Sequence, residues 1–228
     1  MACPFSPTLA LELAHCCQTA NESPTLFVVV EFGDFRVLAF RASEDLADWI
    51  ADADVQLTTH PAFPGRVHNG FADRALAFMP WVNDHKVMLA GKPFYLTGHS
   101  LGGAIASLVS WKMTALGLLP ADAYTFGSPR VGDSTFAAAA QPEWRVVDEF
   151  DIVPELPPWL GYSQLGSEVR LKIDGTIRFG KTLGEWLKAE RLRWQKRGQA
   201  RRHNGHVNFD FLAMHLIADY IYRLEHLK

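Results

Sequence analysis

The chain has 228 residues, of which 48% are hydrophobic and 21% are charged. This length and composition are typical of one folded domain with a buried core, and they exclude a disordered or fibrous protein. The formal net charge of −3 gives no reason to expect a nucleic-acid partner, and no apolar run reaches the roughly 20 residues of a transmembrane helix.

The first part of the chain predicts a helix followed by an antiparallel hairpin. Residues 9–17 contain apolar side chains with helical spacing. Residues 26–32 and 35–41 are rich in β-branched and aromatic residues, and Gly33-Asp34 between them favours a two-residue type II′ turn. The apolar periodicity of residues 75–82 predicts a second helix.

From residue 94 onward, strands and helices alternate, which is typical of a parallel sheet with crossover helices. Strands are predicted over 94–97, 123–126 and 145–150, and helices over 101–116, 133–140 and 211–227. Asp174-Gly175 marks a second hairpin. The predicted fold class is therefore α/β, with a mostly parallel central sheet, an antiparallel N-terminal hairpin and helices on both faces.

The three cysteines, Cys3, Cys16 and Cys17, all lie near the N-terminus, where they cannot form a disulfide framework for the chain. We interpret them as free thiols of a reducing compartment, with the adjacent pair packed in a helix rather than bound to a metal. No basic segment precedes the first apolar stretch, as it would in a secretory signal. The sequence as written predicts a cytoplasmic protein, and secretion after loss of a leader, or without one, is the alternative.

Gly98-His99-Ser100-Leu101-Gly102 matches the pattern Gly-x-Ser-x-Gly, which sets a nucleophilic serine on a sharp turn between a strand and a helix. A serine hydroxyl is a weak nucleophile and needs a neighbouring base to take its proton. The five residues alone are a weak signal, since an incidental serine in a glycine-rich turn also matches them. Their position between a predicted strand and a predicted helix, where α/β sheets form active sites, favours Ser100 as a nucleophile.

On such a scaffold the acid and the base follow the serine in the order Asp or Glu, then His. Asp151 comes directly after the strand predicted over 145–150, whereas Asp148 and Glu149 lie within that strand. The histidines after Asp151 are His203, His206, His215 and His226. His215 lies among apolar residues at the start of the last helix, so we choose it as the base, with His206 as the second candidate.

Several stretches, in the same chain order, resemble the class 3 lipase family, which includes the triacylglycerol lipases of filamentous fungi. They are FRAS at 40–43, DWIAD at 48–52, VHNGF at 67–71, LTGHSLGGA at 96–104, YTFGSPRVG at 124–132 and DIVP at 151–154, with His215, Tyr220 and Ile221 in the last block. The resemblance implies a single α/β-hydrolase domain over residues 1–228. It also implies Ser100, Asp151 and His215 as a catalytic triad, the residues already chosen on local grounds.

Acyl transfer also needs hydrogen-bond donors for the oxyanion that forms. The backbone N–H of Leu101 is one expected donor, because this residue begins a helix. The resemblance implies that Ser43 is the second, and Ser43 can at the same time be the N-cap of the next helix. Ala42 replaces the glycine that the family usually has before this donor, a departure that bears on the local backbone angle.

These residues predict a serine carboxylic-ester hydrolase, and the resemblance implies acylglycerols as its substrates. The alternatives are a phospholipase, a galactolipase or a short-chain esterase, and, outside enzymes, a lipase-like binding protein. The reaction needs no cofactor and no metal. The expected partner is a lipid or small ester, at a lipid–water interface, and the sequence leaves the oligomeric state open.

A basic stretch separates the predicted acid from the predicted base. Residues 178–202 contain nine lysines and arginines against two glutamates. Such a stretch could bind anionic lipid. We interpret it instead as a solvated surface that pairs with acidic neighbours.

Residues 44–54 predict a short amphipathic helix with Leu46, Trp49 and Ile50 on one face. In the family the equivalent helix is a lid that covers the site and opens at a lipid interface. A packed surface helix is the alternative interpretation.

When a lid opens, exposure of its apolar face to water costs free energy, whereas contact of that face with lipid is favourable. We therefore expect a higher specific activity on an emulsified ester than on the same ester in solution. Rates measured across the solubility limit of a short-chain ester test this, and equal rates on both sides of the limit would contradict the lid.

Overall fold

The structure is a computed structural model that describes residues 4–42, 56–157, 161–180 and 215–228. Its elements, in chain order, are helix α1 (Pro7–Glu22), strands β1 (Phe27–Glu31), β2 (Arg36–Phe40), β3 (Leu57–Thr59) and β4 (Arg66–His68), helices α2 (Asn69–Asp84) and α3 (Lys86–Ala90), strand β5 (Phe94–His99), helix α4 (Leu101–Ala115), strand β6 (Asp122–Phe126), helix α5 (Ser134–Ala139), strand β7 (Trp144–Asp148), a 3₁₀ turn (Val153–Glu155), strands β8 (Ser167–Leu171) and β9 (Ile177–Phe179), and helix α6 (Ile217–Glu225).

Seven of these strands form one sheet in the order β1-β2-β5-β6-β7-β8-β9, and β3 pairs with β4 in a separate ribbon. The five central strands are parallel, and β1 and β9 close the two edges as antiparallel hairpin partners. The predicted α/β class is therefore confirmed. The carboxyl ends of β5, β6 and β7 meet at the same edge of the sheet.

Helices cover both faces of the sheet. Leu38, Phe40 and Leu96 pack with α2 and α4 on one face, and Val37 and Ala39 pack with α1 and α6 on the other. Because successive residues of a strand point to opposite faces, β2 is buried on both sides, which explains its apolar sequence. Within the described ranges, no helix is long and apolar enough to span a bilayer.

The two predicted hairpins are present, but the turn type predicted for the first is wrong. The Phe32 N–H donates to the Phe35 carbonyl at 2.9 Å and leaves Gly33-Asp34 as the loop. A type II′ turn requires positive φ at Gly33, and Gly33 does not have it. The prediction failed because glycine adopts negative φ as readily as positive φ. In the second hairpin Gly175 has a φ of 79°, as a positive-φ turn residue does.

Cys16 and Cys17 are free thiols that pack in the core from α1, as predicted. Burial, with a smaller contribution from Glu12, raises the pKa of the Cys16 thiol to about 11. Burial also raises the pKa of Cys17, whose Sγ lies 3.2 Å from Thr97 Oγ1. Buried thiols of this kind are inert, so their free state does not identify a reducing compartment. Cys3 lies outside the described residues.

A buried charge cluster connects β7 and β8 to the loops that follow β6 and β7. Its five members, each at most a tenth exposed at the side chain, are Arg130, Arg145, Glu155, Glu168 and Arg170. Glu155 contacts Arg130 at 3.1 Å and Arg170 at 3.7 Å, and Glu168 contacts Arg170 at 2.6 Å and Arg145 at 3.7 Å. Each glutamate is therefore shared by two arginines, and loss of either carboxylate leaves a buried positive charge with fewer partners.

Glu155→Gln removes the charge that Arg130 and Arg170 share. We expect the free energy of unfolding in urea to fall by about 3 kcal/mol, because breaking a buried ion pair costs about 3–5 kcal/mol. The matched control is Glu31→Gln, since Glu31 also pairs with two cations, Arg36 and Lys92, but is half exposed at the sheet edge. A much smaller loss is expected there, and equal losses in the two variants would contradict the importance of burial.

Candidate active site

β5 and α4 meet at Ser100, which has φ 57° and ψ −127°. Ser100 is the one non-glycine residue with positive φ among those the structure describes, and such backbone strain costs about 1–3 kcal/mol. The turn is tight: a Cβ on Gly98 would lie 2.2 Å from the backbone of Gly102, and one on Gly102 would lie 2.1 Å from the Phe40 carbonyl oxygen. The motif thus forms the predicted strand–turn–helix.

Ser100 is buried at the carboxyl end of β5. Its N–H donates to the Phe126 carbonyl of β6 at 2.9 Å. Its Oγ is buried and has no hydrogen-bond partner within the described part of the chain. Leu101 begins α4, and the first N–H groups of a helix have no acceptor inside that helix. A serine hydroxyl and a backbone donor therefore adjoin one another where α4 begins.

The predicted acid and base are in direct contact. His215 Nδ1 lies 2.7 Å from Asp151 Oδ2, and both side chains are buried. Because a carboxylate only accepts hydrogen bonds, Nδ1 carries a proton, and in the neutral form of the ring the lone pair is then on Nε2. His215 Nε2 is buried and, within the described residues, has no hydrogen-bond partner, as is also true of Ser100 Oγ. The contact between nucleophile and base can be longer than a hydrogen bond until substrate binds.

Three donors hold the Asp151 carboxylate. The Val153 N–H donates to Oδ1 at 2.8 Å, and the Tyr220 hydroxyl and His215 Nδ1 donate to Oδ2 at 2.6 and 2.7 Å. Burial raises the pKa of the Tyr220 hydroxyl well above its ordinary value, and the charge of Asp151 adds to this effect, so the hydroxyl keeps its proton. This role of Tyr220 was not predicted from the sequence. Its one signal was a hydroxyl-bearing residue in the family's last block.

Gly127, directly after β6, leaves space for the side chains of Asp151 and His215. It has a φ of 60°, and a Cβ built on it would lie 2.8 Å from both Asp151 Oδ2 and His215 Cε1. No side chain fits at that distance. The position therefore requires glycine for two reasons, the backbone angle and the close approach.

His99, the residue before Ser100, lies against His215. Its Nε2 is 2.6 Å from the His215 carbonyl oxygen, and the centroids of the two rings are 4.6 Å apart. Burial lowers the pKa of His99 well below its ordinary value, and the neighbouring His215 lowers it further. His99 is therefore a neutral imidazole.

The other carboxylates after Ser100 have separate partners. β7 ends at Asp148, earlier than predicted, so Glu149 follows the strand instead of lying within it. The buried Asp148 carboxylate pairs with Arg223 and accepts from the Phe150 N–H, and Glu149 pairs with Lys172 at 2.8 Å.

The remaining candidate histidines divide into two groups. His226 is exposed, and its Nδ1 contacts the Tyr222 carbonyl at the end of α6 rather than the Asp151 carboxylate. His203 and His206 lie outside the described residues. Across the described ranges, no group of three or more His, Cys, Asp or Glu side chains could hold a metal ion.

Ser43, the helix predicted over 44–54 and most of the basic stretch, residues 181–202, also lie outside the described residues. Ala42 is described, and its φ is not positive. Its N–H donates to Asn21 Oδ1 of α1 at 2.8 Å. Alanine in place of the family's usual glycine therefore introduces no positive-φ strain.

Comparison with known protein families adds an independent finding. Residues 37–161, more than half of the chain, match the family model described as Lipase (class 3). The chain belongs to the class 3 lipase family. The matched range contains Ser100 and Asp151 and ends before His215.

Individual lipases are also similar in sequence to this chain. A lipase from Rhizomucor miehei is 36% identical over 145 residues, which cover 58% of this chain and 40% of the relative. A secreted mono- and diacylglycerol lipase from Fusarium solani is 34% identical over 142 residues, which cover 58% and 42%. This chain therefore matches about two-fifths of the length of these curated relatives. The Fusarium solani relative is named as a secreted enzyme, so this comparison does not support the predicted cytoplasmic location.

A solved structure supports the same fold. The lipase from Rhizopus microsporus var. chinensis has a TM-score of 0.61 and 23% sequence identity, over 73% of this chain and 76% of that chain. This likeness shows the fold, which is the predicted α/β-hydrolase fold.

Gly127→Ala should disable the site without unfolding the protein. The added methyl group displaces Asp151 or His215, and a misplacement of about 1 Å can cost about 10²-fold in rate. We expect kcat/KM for a soluble nitrophenyl ester to fall by at least about 10²-fold.

Gly117→Ala is the matched control, because Gly117 also has positive φ, 80°, but a Cβ on it meets nothing within 4 Å. Both variants bear the same type of backbone strain, so Gly117→Ala should lose thermal stability through that strain alone and keep wild-type activity, while Gly127→Ala adds the steric clash and loses activity. Full activity in Gly127→Ala would show that the close approach to the two side chains is unimportant.

Proposed function

We propose that this protein hydrolyses carboxylic esters, with Ser100 as nucleophile, His215 as general base and Asp151 as the residue that orients the imidazole. The observation that carries the proposal is the 2.7 Å contact between His215 Nδ1 and Asp151 Oδ2, which leaves the lone pair of Nε2 available. The strained turn at Ser100, with a buried hydroxyl, supports it.

In the first half of the reaction, Ser100 Oγ attacks the acyl carbon of the ester while its proton passes to His215 Nε2. Asp151 continues to accept from Nδ1 and stabilises the imidazolium that forms. The tetrahedral intermediate then expels the alcohol, which takes the proton from Nε2. The acyl group is left on Ser100 Oγ.

In the second half, water replaces the alcohol. His215 Nε2 takes a proton from the water as its oxygen attacks the acyl carbon. Collapse of the second tetrahedral intermediate breaks the bond to Ser100 Oγ, which regains the proton from Nε2. The products are one alcohol and one carboxylic acid, and no cofactor or metal takes part.

The oxyanion of both tetrahedral intermediates needs donors, and we assign the N–H of Leu101 and the residue Ser43. The N–H of Leu101 is free of intrahelical bonding because α4 begins there. The dipole of the same helix favours negative charge at that end. Loss of one such donor typically costs about 10²–10³-fold in kcat.

We assign acylglycerols as the substrate class, because the Fusarium solani relative is named for mono- and diacylglycerols. A second candidate is a phospholipid: a rice relative named phospholipase A1-II 1 is 38% identical over 84 residues, a third of this chain. Short-chain esters and a purely binding role are further alternatives. A role in binding alone would not require the strained backbone at Ser100 or the hydrogen-bonded pair of His215 and Asp151.

A fluorophosphonate probe and a panel of esters test this function. We expect the wild-type chain to hydrolyse acylglycerols and to be labelled at Ser100, and Ser100→Ala to lose labelling and at least about 10³-fold in kcat. The panel should pair triacylglycerols of graded chain length with a phospholipid of the same acyl chain, which separates the two substrate classes.

Ser128→Ala is the matched control for this experiment. Ser128 is a second buried serine near the start of α4, but its hydroxyl donates to the Pro129 carbonyl at 3.2 Å. We expect it to be labelled and to hydrolyse esters as the wild type does. A wild-type chain that reacts with neither probe nor ester would overturn the proposed function.

A further inference from the structure

His99 makes a contact that the proposed reaction does not use. It ends β5, is buried, and its Nε2 lies 2.6 Å from the carbonyl oxygen of His215. Since a carbonyl only accepts, His99 Nε2 must carry the proton of this neutral ring. Its Nδ1 is buried and has no hydrogen-bond partner among the residues the structure describes. Among the described residues, the ring therefore makes one hydrogen bond, to the main chain of His215.

This contact joins two parts of the site that are 116 residues apart in the sequence. His99 is covalently next to Ser100, whose backbone is already fixed by its place at the start of α4. His215 lies directly before the N-cap of α6, Leu216, and its ring is held at Nδ1 by Asp151. The bond to Asp151 fixes one atom of the ring but not the main chain that bears it. The bond from His99 fixes that main chain relative to the serine.

We propose that His99 is a positioning residue, which sets the separation of Ser100 Oγ from His215 Nε2 by donating a hydrogen bond to the His215 main chain. The proposal rests on the proposed function, because it concerns the geometry of that reaction. A nucleophile and a base from distant segments must be held in register, and small displacements are expensive in rate. Within the described residues, the serine and the imidazole have no direct hydrogen bond that would do this.

A neutral donor suits this position better than a charged one. His215 becomes an imidazolium during the reaction, and the two rings lie 4.6 Å apart. A lysine or arginine at position 99 would place a permanent positive charge beside that cation and oppose its formation. Burial and the neighbouring His215 keep the pKa of His99 low, so His99 donates without a charge. The other ring facing it is Tyr220, at 6.1 Å, which is also neutral.

The test compares His99→Gln with His99→Met. Glutamine places an amide N–H at the same number of bonds from Cα as Nε2 of histidine, whereas methionine fills similar space with no donor. We expect His99→Gln to keep kcat for a soluble ester within about threefold of wild type, and His99→Met to lose about 10–100-fold in kcat with KM within about twofold. Labelling by the fluorophosphonate should slow in parallel with kcat.

Thr97→Val is the matched control. Thr97 lies on the same strand, is also buried, and donates from its side chain to a main-chain carbonyl, that of Tyr124, at 2.8 Å. Its loss should lower the thermal unfolding midpoint about as much as His99→Met does and leave kcat unchanged. A fall in kcat in Thr97→Val equal to that in His99→Met would overturn the proposal. So would wild-type kcat in His99→Met, or no rescue by glutamine.

A measurement on the wild-type chain keeps the proposal testable if His99→Met does not fold. Nitrogen-15 chemical shifts of the imidazole rings at neutral pH should show His99 as the neutral tautomer with its proton on Nε2, and that proton should exchange slowly. Detection of the Nδ1–H tautomer or of an imidazolium would overturn the proposal. Failure of the proposed function looks different, because the wild type would then react with neither ester nor probe, whatever the state of His99.

Discussion

Backbone clearance at the carboxyl ends of β5 and β6 is the constraint on which the rest of the site depends. Gly102 approaches the Phe40 carbonyl of β2 so closely that α4 can begin directly above the sheet, and Gly98 lets the same turn close from the strand side. This geometry forces Ser100 into a positive φ that a non-glycine residue rarely adopts. Gly127 provides the equivalent clearance after β6, where the side chains of Asp151 and His215 lie against the backbone. Three glycines thus leave the space in which the predicted triad, Ser100, Asp151 and His215, lies at this edge of the sheet.

The close approach also explains why so many polar groups are buried at this edge. Asp151, deep in the protein, would be costly as a charge without partners, and its three donors offset that cost. The same donors determine the chemistry, because the proton on His215 Nδ1 must face the carboxylate and the lone pair on Nε2 must face away. The hydrogen bond to the buried carboxylate therefore selects the Nδ1–H tautomer, which is the one that the proposed role of His215 as a base requires.

The sequence predicted the parts of this protein that local patterns determine. The alternation of strands and helices, the hairpins and the Gly-x-Ser-x-Gly turn all depend on neighbours in the chain, and the structure has them. The turn type predicted at Gly33 was wrong because glycine allows either sign of φ, and nothing nearby in the sequence selects one. The end of β7 was placed too late, because Glu149 and Phe150 continue the pattern of a strand after its pairing has stopped.

Contacts between distant segments were beyond the reach of local patterns. The choice of His215 over His206 rested on its apolar neighbours, which indicate packing but name no partner. The Tyr220 hydroxyl reaches Asp151 across 69 residues, and His99 reaches His215 across 116. Both residues lie in blocks that resemble the family, yet their roles depend on how β5, β7 and α6 are arranged in space. Each also reads, in the sequence, as an ordinary buried residue.

The buried charge cluster is part of the same arrangement, although it holds no reacting group. Arg130 lies in the same loop as Gly127, and its side chain contacts Glu155 in the 3₁₀ turn just after Asp151, while its N–H donates to the Leu156 carbonyl at 2.6 Å. The two loops that supply clearance and acid are thereby tied to one another. Such loops are usually the most mobile parts of an α/β fold. Here, the buried pairs of Glu155 with Arg130 and Arg170 join the two loops, and such pairs are costly to separate, so the loop that carries Asp151 is held by ion pairs outside the site itself.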